Sequence, residues 1–344
     1  MRMLPVGALR GRERVVGATI GMENPAPSCV SVGCSHLRFS NTKPHVLRRV
    51  VFWPATGLVA LNRFSFVSES LLLPGGLRAV ATVGGLERRN KVVEGERVSV
   101  AIGAGSDLIS NHYHFLIDAL PRLWHLAHMD LSDPPARLYL TSKHEKYEAV
   151  VRRLLPDGID VRVVQPDTCV QSDRHLLLPQ MSGSECGWLP ERAIEFVRSR
   201  LLGDHAAPTQ RVIYVSRRIA RVRRILNEDE LIFALEKIGV TCVIAETMTV
   251  DDQIELFAGA RGIIGMHGAG LTNILFARNA RVLEIFSGTP RGHYACLARA
   301  CKHDYSYIAG VGRSKNEDRR LSRSELEEVA RFASRCFDSR IRES

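Results

Sequence analysis

Two segments of this 344-residue chain gather residue types that could do chemistry. The first is His267-Gly268-Ala269-Gly270-Leu271-Thr272-Asn273, which follows the short apolar run Gly262–Met266. Glycines let a backbone approach an anion closely, and a helix opening there turns unpaired N–H groups and its positive dipole end toward it. A tight strand–helix turn would also use two glycines. His267 ahead of them and the Thr272-Asn273 pair behind favour anion binding. Five arginines (217, 218, 221, 223 and 224) follow another apolar run. Guanidinium forks donate bidentate bonds to phosphate oxygens; Arg217 and Arg224 are the expected diphosphate ligands, and the others suit a solvated loop. Glu284 is the candidate acceptor for two ribose hydroxyls, its alternative being an ordinary surface carboxylate at a strand end.

The second segment runs from Asn111 to Arg122. On a helix, His114, Asp118 and Arg122 fall on one face at successive i, i+4 steps. A carboxylate four residues from a histidine can orient its ring and raise its basicity, as a general base requires. The competing reading is a surface Asp118–Arg122 ion pair with His114 capping the helix. No Asp-x-Asp triplet occurs in the chain. Arginines and a helix N-terminus, and no metal, are therefore expected to neutralise a bound diphosphate.

These groups need elements to hold them. From residue 211 onward, short β-branched runs (Arg211–Ser216, Thr241–Ala245, Gly262–Met266, Arg281–Ile285, Tyr305–Ala309) alternate with amphipathic stretches near 228–238, 250–260, 270–276 and 293–301. That alternation specifies a parallel sheet with right-handed crossovers. In such a sheet ligands bind beyond the carboxyl ends of the strands, where Arg217, Arg218, Glu246 and His267 fall. Asn227 with Glu230, Thr249 with Asp252 and Ser322 with Glu325 mark helix starts. The first half is predicted to hold strands near 50–53, 57–61, 79–83 and 98–102, then a helical stretch over 111–128 that Pro121 interrupts. Beyond it come strands at 137–141, 161–164 and 175–178 and helices at 145–155 and 190–202. The polar link Gly203–Gln210 sets a domain boundary, giving domains 1–204 and 205–310 and a C-terminal helical segment 311–344.

Composition narrows the field. With 45% hydrophobic and 24% charged residues the chain has material for two cores, and its +10 charge attracts anions of any kind. Only 6% of residues are aromatic and none lies in the arginine cluster, which argues against a nucleic-acid groove. The eight cysteines are too scattered for a disulfide scaffold. The repeated Cys-x4-Cys-x-His spacing at 29–36 and 296–303 lies at the wide end of the gaps structural zinc sites use, but Cys296 and Cys301 fall in a stretch that reads as a helix, so buried, reduced thiols are expected. There is no uninterrupted apolar run near the N-terminus and no 18-residue apolar stretch, so a cytoplasmic protein is expected, with contact at an anionic membrane surface still open. The glycine loop lacks the G-x-G-x-x-G spacing of dehydrogenases and epimerases.

Three blocks in order resemble the family 61 glycosyltransferases, which include xylan-decorating enzymes, O-linked N-acetylglucosaminyltransferases and bacterial polysaccharide-biosynthesis proteins. They are Asn111–Arg122, Ser216-Arg217 with Arg224–Glu228, and Gln253 through the His267–Asn273 loop to Glu284. The resemblance implies an α/β, GT-B-like fold of two facing Rossmann-type domains, with the last helix crossing back to the N-terminal one. It implies inverting, metal-independent transfer of a sugar, usually from a UDP-sugar, to a hydroxyl of a glycan acceptor in cell-surface polysaccharide synthesis. Arg217, Arg224, His267, Gly268, Ala269, Gly270, Leu271, Thr272, Asn273 and Glu284 would hold the donor, and His114 with Asp118 would serve the acceptor. A nucleotide-binding relative without transfer activity and an anionic-polymer-binding protein are the alternatives.

Overall fold

A computed structural model of the chain describes residues 2–4, 13–14, 16–17, 44–62, 65–67, 90–102, 111–130, 136–179, 189–203, 211–310 and 317–338. These fall into two compact units that divide between residues 184 and 185. The strand expected at 79–83 and the cysteines at 29, 34 and 186 lie outside the described residues.

The first unit is built on strands β1 (Arg2–Leu4), β2 (Glu13–Arg14), β3 (Val16–Gly17), β4 (His45–Trp53), β5 (Leu58–Asn62), β6 (Ser65–Val67), β7 (Asn90–Ala101), β8 (Met129–Asp130), β9 (Arg137–Thr141), β10 (Asp160–Val164) and β11 (Thr168–Leu177). Its main sheet runs β1-β6-β5-β4-β11-β7-β9-β10, with β2 also on β4. The expectation of a parallel Rossmann sheet is corrected here. β11 pairs parallel with β7 but antiparallel with β4, and β4 and β5 form a hairpin, so the sheet is mixed. Phe52, Val59, Val170 and Tyr139 fill its core. Helices α1 (Trp124–Ala127) and α2 (Glu148–Leu154) belong to this unit.

The second unit carries α3 (Glu191–Leu202), β12 (Arg211–Val215), α4 (Glu228–Glu236), β13 (Thr241–Val243), α5 (Val250–Ala258), β14 (Ala260–Met266), β15 (Arg281–Ile285), α6 (His293–Ala300), β16 (Asp304–Ile308) and α7 (Arg323–Phe337). All pairings in its sheet are parallel, in the order β13-β12-β14-β15-β16. Near-continuous apolar runs such as β14, buried along its whole length, are what helices on both faces of a parallel sheet demand. Thr249 and Ser322 form the expected capping boxes with Asp252 and Glu325. Asn227 does not cap α4. Its carboxamide pairs instead with the backbone of Leu321, accepting from the N–H at 2.9 Å and donating to the carbonyl at 3.1 Å.

Two further segments differ from expectation. Arg198 of α3 donates to the carbonyls of Ala277 (2.7 Å) and Cys301 (3.3 Å), so this helix groups with the second unit. The last helix, α7, was expected to pack on the N-terminal domain. Its Val329, Phe332, Ala333 and Cys336 lie in the same core as Val212, Ile264 and Leu283 of the second sheet. Gly262 is part of that contact, since a Cβ there would meet Cys336 Sγ at 2.7 Å. No helix among the described residues is long and apolar enough to cross a membrane.

Candidate functional site

In the second sheet, β12 connects through β13 on one side, and the chain then crosses to β14 on the other. The crevice beyond the carboxyl ends of β12 and β14 is therefore the switch point where such sheets bind ligands. Ser216 and Arg217 leave the first of these strands; His267 and Gly268 leave the second.

Arg217 is buried and closely held. Its Nε donates to Arg223 O and its Nη2 to Val222 O, each at 3.0 Å, and its own N–H donates to Glu228 Oε1 at 3.2 Å. Nη1 lies over Gly268, where a Cβ would approach to 1.9 Å. The glycine is needed for that approach because it has no Cβ, and for no conformational reason, since its backbone is extended (φ 171°, ψ 166°), which any residue adopts. Burial, reinforced by Arg223, pulls the Arg217 pKa below its ordinary value. A cation so placed gains most from an anionic partner.

His267 lies 9% exposed beside it, and its N–H continues the ladder onto Ile285 O at 2.8 Å. Its Nδ1 makes a very short hydrogen bond to Glu284 Oε1, whose other oxygen accepts from the Tyr305 hydroxyl at 2.5 Å. Register explains the group. Gly265 is aligned with Glu284 and Val282 with Tyr305, so His267, Glu284 and Tyr305 project from one face of three adjacent strands. Glu284 has no accessible surface. The assignment of Glu284 as a ribose ligand is corrected accordingly: both carboxyl oxygens are engaged inside the protein, and the group orients His267. Burial pushes the Glu284 carboxyl up to about 8 and the His267 imidazole down to about 3, the latter helped by Arg223, Arg291 and Arg217.

The loop divides into two parts. Ala269 and Gly270 are half-buried at the start of a 3-10 helix, Ala269–Phe276, where the first N–H groups have no helical partner. The Tyr294 hydroxyl donates to Gly268 O at 2.6 Å and fixes the loop from below. Leu271, Thr272 and Asn273 were expected at the ligand, but they point inward. Leu271 packs under Gly265, and Asn273 donates to Gln253 Oε1 at 2.7 Å in a buried polar chain ending on Met248 O. Thr272 has no accessible surface.

Arg224 is also placed differently from expectation. Its guanidinium and backbone N–H clasp Asp318, with Nη2 at 2.8 Å and N at 2.9 Å, and the adjacent residues Ile225 and Arg319 form a bridge. The pair raises the arginine and lowers the carboxyl by mutual hydrogen bonding. This clasp ties the β12–α4 loop to the segment before α7. Arg218 is paired with Asp229, and Arg223 and Arg291 both lie near Glu317, so acids offset much of this basic cluster. Composition could not reveal Arg291, Tyr294, Tyr305 and Arg319. Their relevance comes from strand register and from contacts across 20 or more residues; Arg319, buried, reaches Phe286 O and Glu325.

In the first unit, residues 112–127 form a continuous helical run that changes pitch three times. Residues His114–Ala119 make a π-helical stretch closed by Leu120 N donating to Phe115 O, and Pro121 opens a 3-10 turn over Leu120–Leu123. Proline has no N–H to donate, which accounts for the change of pitch at that point. His114 Nδ1 and Asp118 Oδ2 are 2.6 Å apart, with Asp118 buried and His114 13% exposed. The surface ion pair envisaged for Asp118 and Arg122 is excluded, because both are interior and Arg122 Nη2 donates to Leu178 O at 2.6 Å. His114 thus presents one ring edge outward while its other nitrogen meets a carboxylate.

No group of three metal-ligating side chains occurs among the described residues. The spacing at Cys296, Cys301 and His303 does not build one. His303 Nε2 donates to Ile274 O at 2.8 Å and its Nδ1 accepts from Ala280 N at 3.2 Å. Burial raises the Cys301 thiol to about 12.

Comparison with known proteins places these residues in a family context. The family model described as Glycosyltransferase 61 matches residues 112–283, half of the chain. An EGF domain-specific O-linked N-acetylglucosamine transferase from Drosophila melanogaster is 39% identical over 111 residues, covering 30% of this chain and 21% of that protein. The protein of the same name from Mus musculus is 36% identical over 92 residues, 24% of this chain and 17% of its own length. The matched region therefore spans about a fifth of these curated relatives.

Proposed function

The chain belongs to glycosyltransferase family 61, and from that premise we propose that it moves a sugar from a nucleotide sugar to an acceptor hydroxyl, with the donor diphosphate seated at the β12/β14 switch point. The observation that carries this reading is the Arg217 guanidinium laid over Gly268, beside His267 and the first amides of the following helix. Each is a donor or cation aimed at one small volume, as an anion with several oxygens requires.

In the proposed reaction an acceptor hydroxyl attacks the anomeric carbon from the face opposite the nucleotide, with inversion, and the diphosphate leaves. The transition state has oxocarbenium character, so negative charge grows on the leaving oxygen. Arg217, His267 and the N–H groups of Ala269 and Gly270 stabilise that charge. Preorganised donors of this kind are each worth about 10²–10³ in rate. His114 is the proposed base for the acceptor proton, and Asp118 at 2.6 Å holds its ring and stabilises the imidazolium that forms.

The finer parts of the proposal are a UDP-linked donor, a mechanism without a metal, a glycan acceptor, the GT-B arrangement, and a cytoplasmic role in cell-surface polysaccharide synthesis, with any membrane contact peripheral. They rest on the resemblance and on the arginine-rich, glycine-rich donor loop. Because the relatives are named for N-acetylglucosamine transfer, UDP-N-acetylglucosamine heads the donor panel. The test is UDP release from a set of UDP-sugars, with and without EDTA, for the wild-type protein and Arg217→Ala. Release from one donor, insensitive to EDTA and lost in the variant, supports the proposal. Wild-type protein that binds UDP yet releases none from any donor leaves the nucleotide-binding relative without activity as the correct reading.

A further inference from the structure

Behind the site stands a buried chain whose geometry has its own chemical consequence. Tyr305 of β16 donates to one oxygen of Glu284 on β15, and the other oxygen meets His267 Nδ1 at the end of β14. His267 Nε2 makes no hydrogen bond among the described residues. We propose that Glu284 and Tyr305 act as positioning residues that hold His267 in the tautomer carrying its hydrogen on Nε2, making His267 a hydrogen-bond donor to the leaving diphosphate. The proposal rests on the reading of this loop as the donor site.

Nε2 carries hydrogen wherever the shared proton sits. If the carboxyl holds it, the carboxyl donates to Nδ1 and the neutral ring keeps its hydrogen on Nε2. If the ring holds it, both nitrogens carry hydrogen. Only when the pair has lost that proton does Nδ1–H face a carboxylate and Nε2 become an acceptor, which would repel phosphate oxygen. Tyr305 completes the arrangement, since its hydroxyl occupies the second oxygen and leaves one oxygen for the imidazole.

The surroundings favour retaining the proton. Glu284 has no accessible surface, and a buried carboxylate is costly unless neutralised. The ring is faced by Phe286 of the β15 end (5.2 Å between centroids) and by His293 (5.9 Å) and Tyr294 (5.4 Å) of α6. Arg217 and Arg223 from the β12–α4 loop and Arg291 from the segment before α6 act against protonation of the ring, and Glu317 acts for it. Tyr307 and Cys296 stand near Tyr305, whose own proton burial holds firmly. Glu284, raised to about 8, is thus the group near the ring that titrates just above neutrality.

Two readouts separate this inference from the reading it rests on. Long-range ¹⁵N–¹H correlation spectra of ¹⁵N-histidine protein, with His267 assigned by His267→Gln, report the tautomer without any ligand. The expected result is the Nε2–H form at pH 7, giving way to the Nδ1–H form as pH rises through about 8. Titration calorimetry with UDP should then show affinity falling roughly tenfold between pH 7 and 9.5, the scale of one charged hydrogen bond. Glu284→Gln supplies a permanent amide donor to Nδ1, so it should bind like wild type at pH 7 and lose the pH dependence. Tyr305→Phe should keep the fold and shift the break. An Nδ1–H tautomer at pH 7, or the same break in Glu284→Gln as in wild type, overturns the relay. An Nε2–H tautomer in a protein that binds no UDP overturns the donor-site reading and leaves the tautomer assignment standing.

Discussion

Substituting Gly268 by alanine tests the placement of Arg217 more sharply than deleting the arginine. A Cβ at position 268 would stand 1.9 Å from Nη1, 2.5 Å from Cζ and 3.0 Å from Nε of Arg217. Unbonded heavy atoms settle near 3.5 Å, so the guanidinium must retreat by roughly 1.5 Å. That movement breaks its bonds to Arg223 O and Val222 O and takes Nη1 away from the crevice. The extended backbone of Gly268 accepts alanine without conformational strain, so the loss acts through Arg217 alone. One charge-assisted hydrogen bond is worth about 1.5–3 kcal/mol, which is about 10- to 150-fold in Kd. Calorimetry with UDP on Gly268→Ala, Arg217→Ala and the double variant forms a cycle. Each single variant should lose affinity by that factor. The double variant should be within about 0.5 kcal/mol of Arg217→Ala, because the two changes remove one interaction. Additive losses, or a Gly268→Ala protein with wild-type affinity, would refute the proposed link.

Three other outcomes follow from the same structure. His114→Ala should cut turnover by about 10²–10⁴ while UDP affinity stays within twofold; a matching loss of UDP binding would remove His114 from the role of base. Arg224→Ala should lower Tm slightly and leave UDP affinity unchanged, since its guanidinium is half-exposed and committed to Asp318; a tenfold loss of affinity would restore it to the donor site. Stability should fall as pH drops from about 6.5 toward 3. Burial lowers His125, His175 and His267 to about 3 in the folded protein, so over that window the unfolded chain binds more protons. A Tm that does not change from pH 7 to 4 would contradict the buried neutral state of these rings.

The second unit was largely legible because its signals are local. Its fully buried parallel strands read as apolar runs, and the Thr249 and Ser322 capping boxes are complete within four residues. What the sequence hid depends on partners far along the chain. Arg224 and Asp318 are 94 positions apart, and nothing near Arg224 distinguishes it from Arg217. Asn273 and Glu284 are polar residues that turn inward, where hydrogen bonds to Gln253, Tyr305 and His267 compensate their burial. In the first unit the antiparallel pairing of β4 with β11 joins strands more than 100 residues apart, beyond the reach of periodicity. His114 and Asp118 were found because a four-residue spacing survives even in a run that is partly π-helical.

The switch point of the second unit is proposed to hold a nucleoside diphosphate through protein groups. Titration calorimetry of the protein with UDP, GDP and ADP, each with and without EDTA, addresses it directly. Selective UDP binding that survives EDTA and weakens at least tenfold in Arg217→Ala is the predicted result. Absence of binding by all three nucleotides, or binding that Arg217→Ala leaves unchanged, would contradict it.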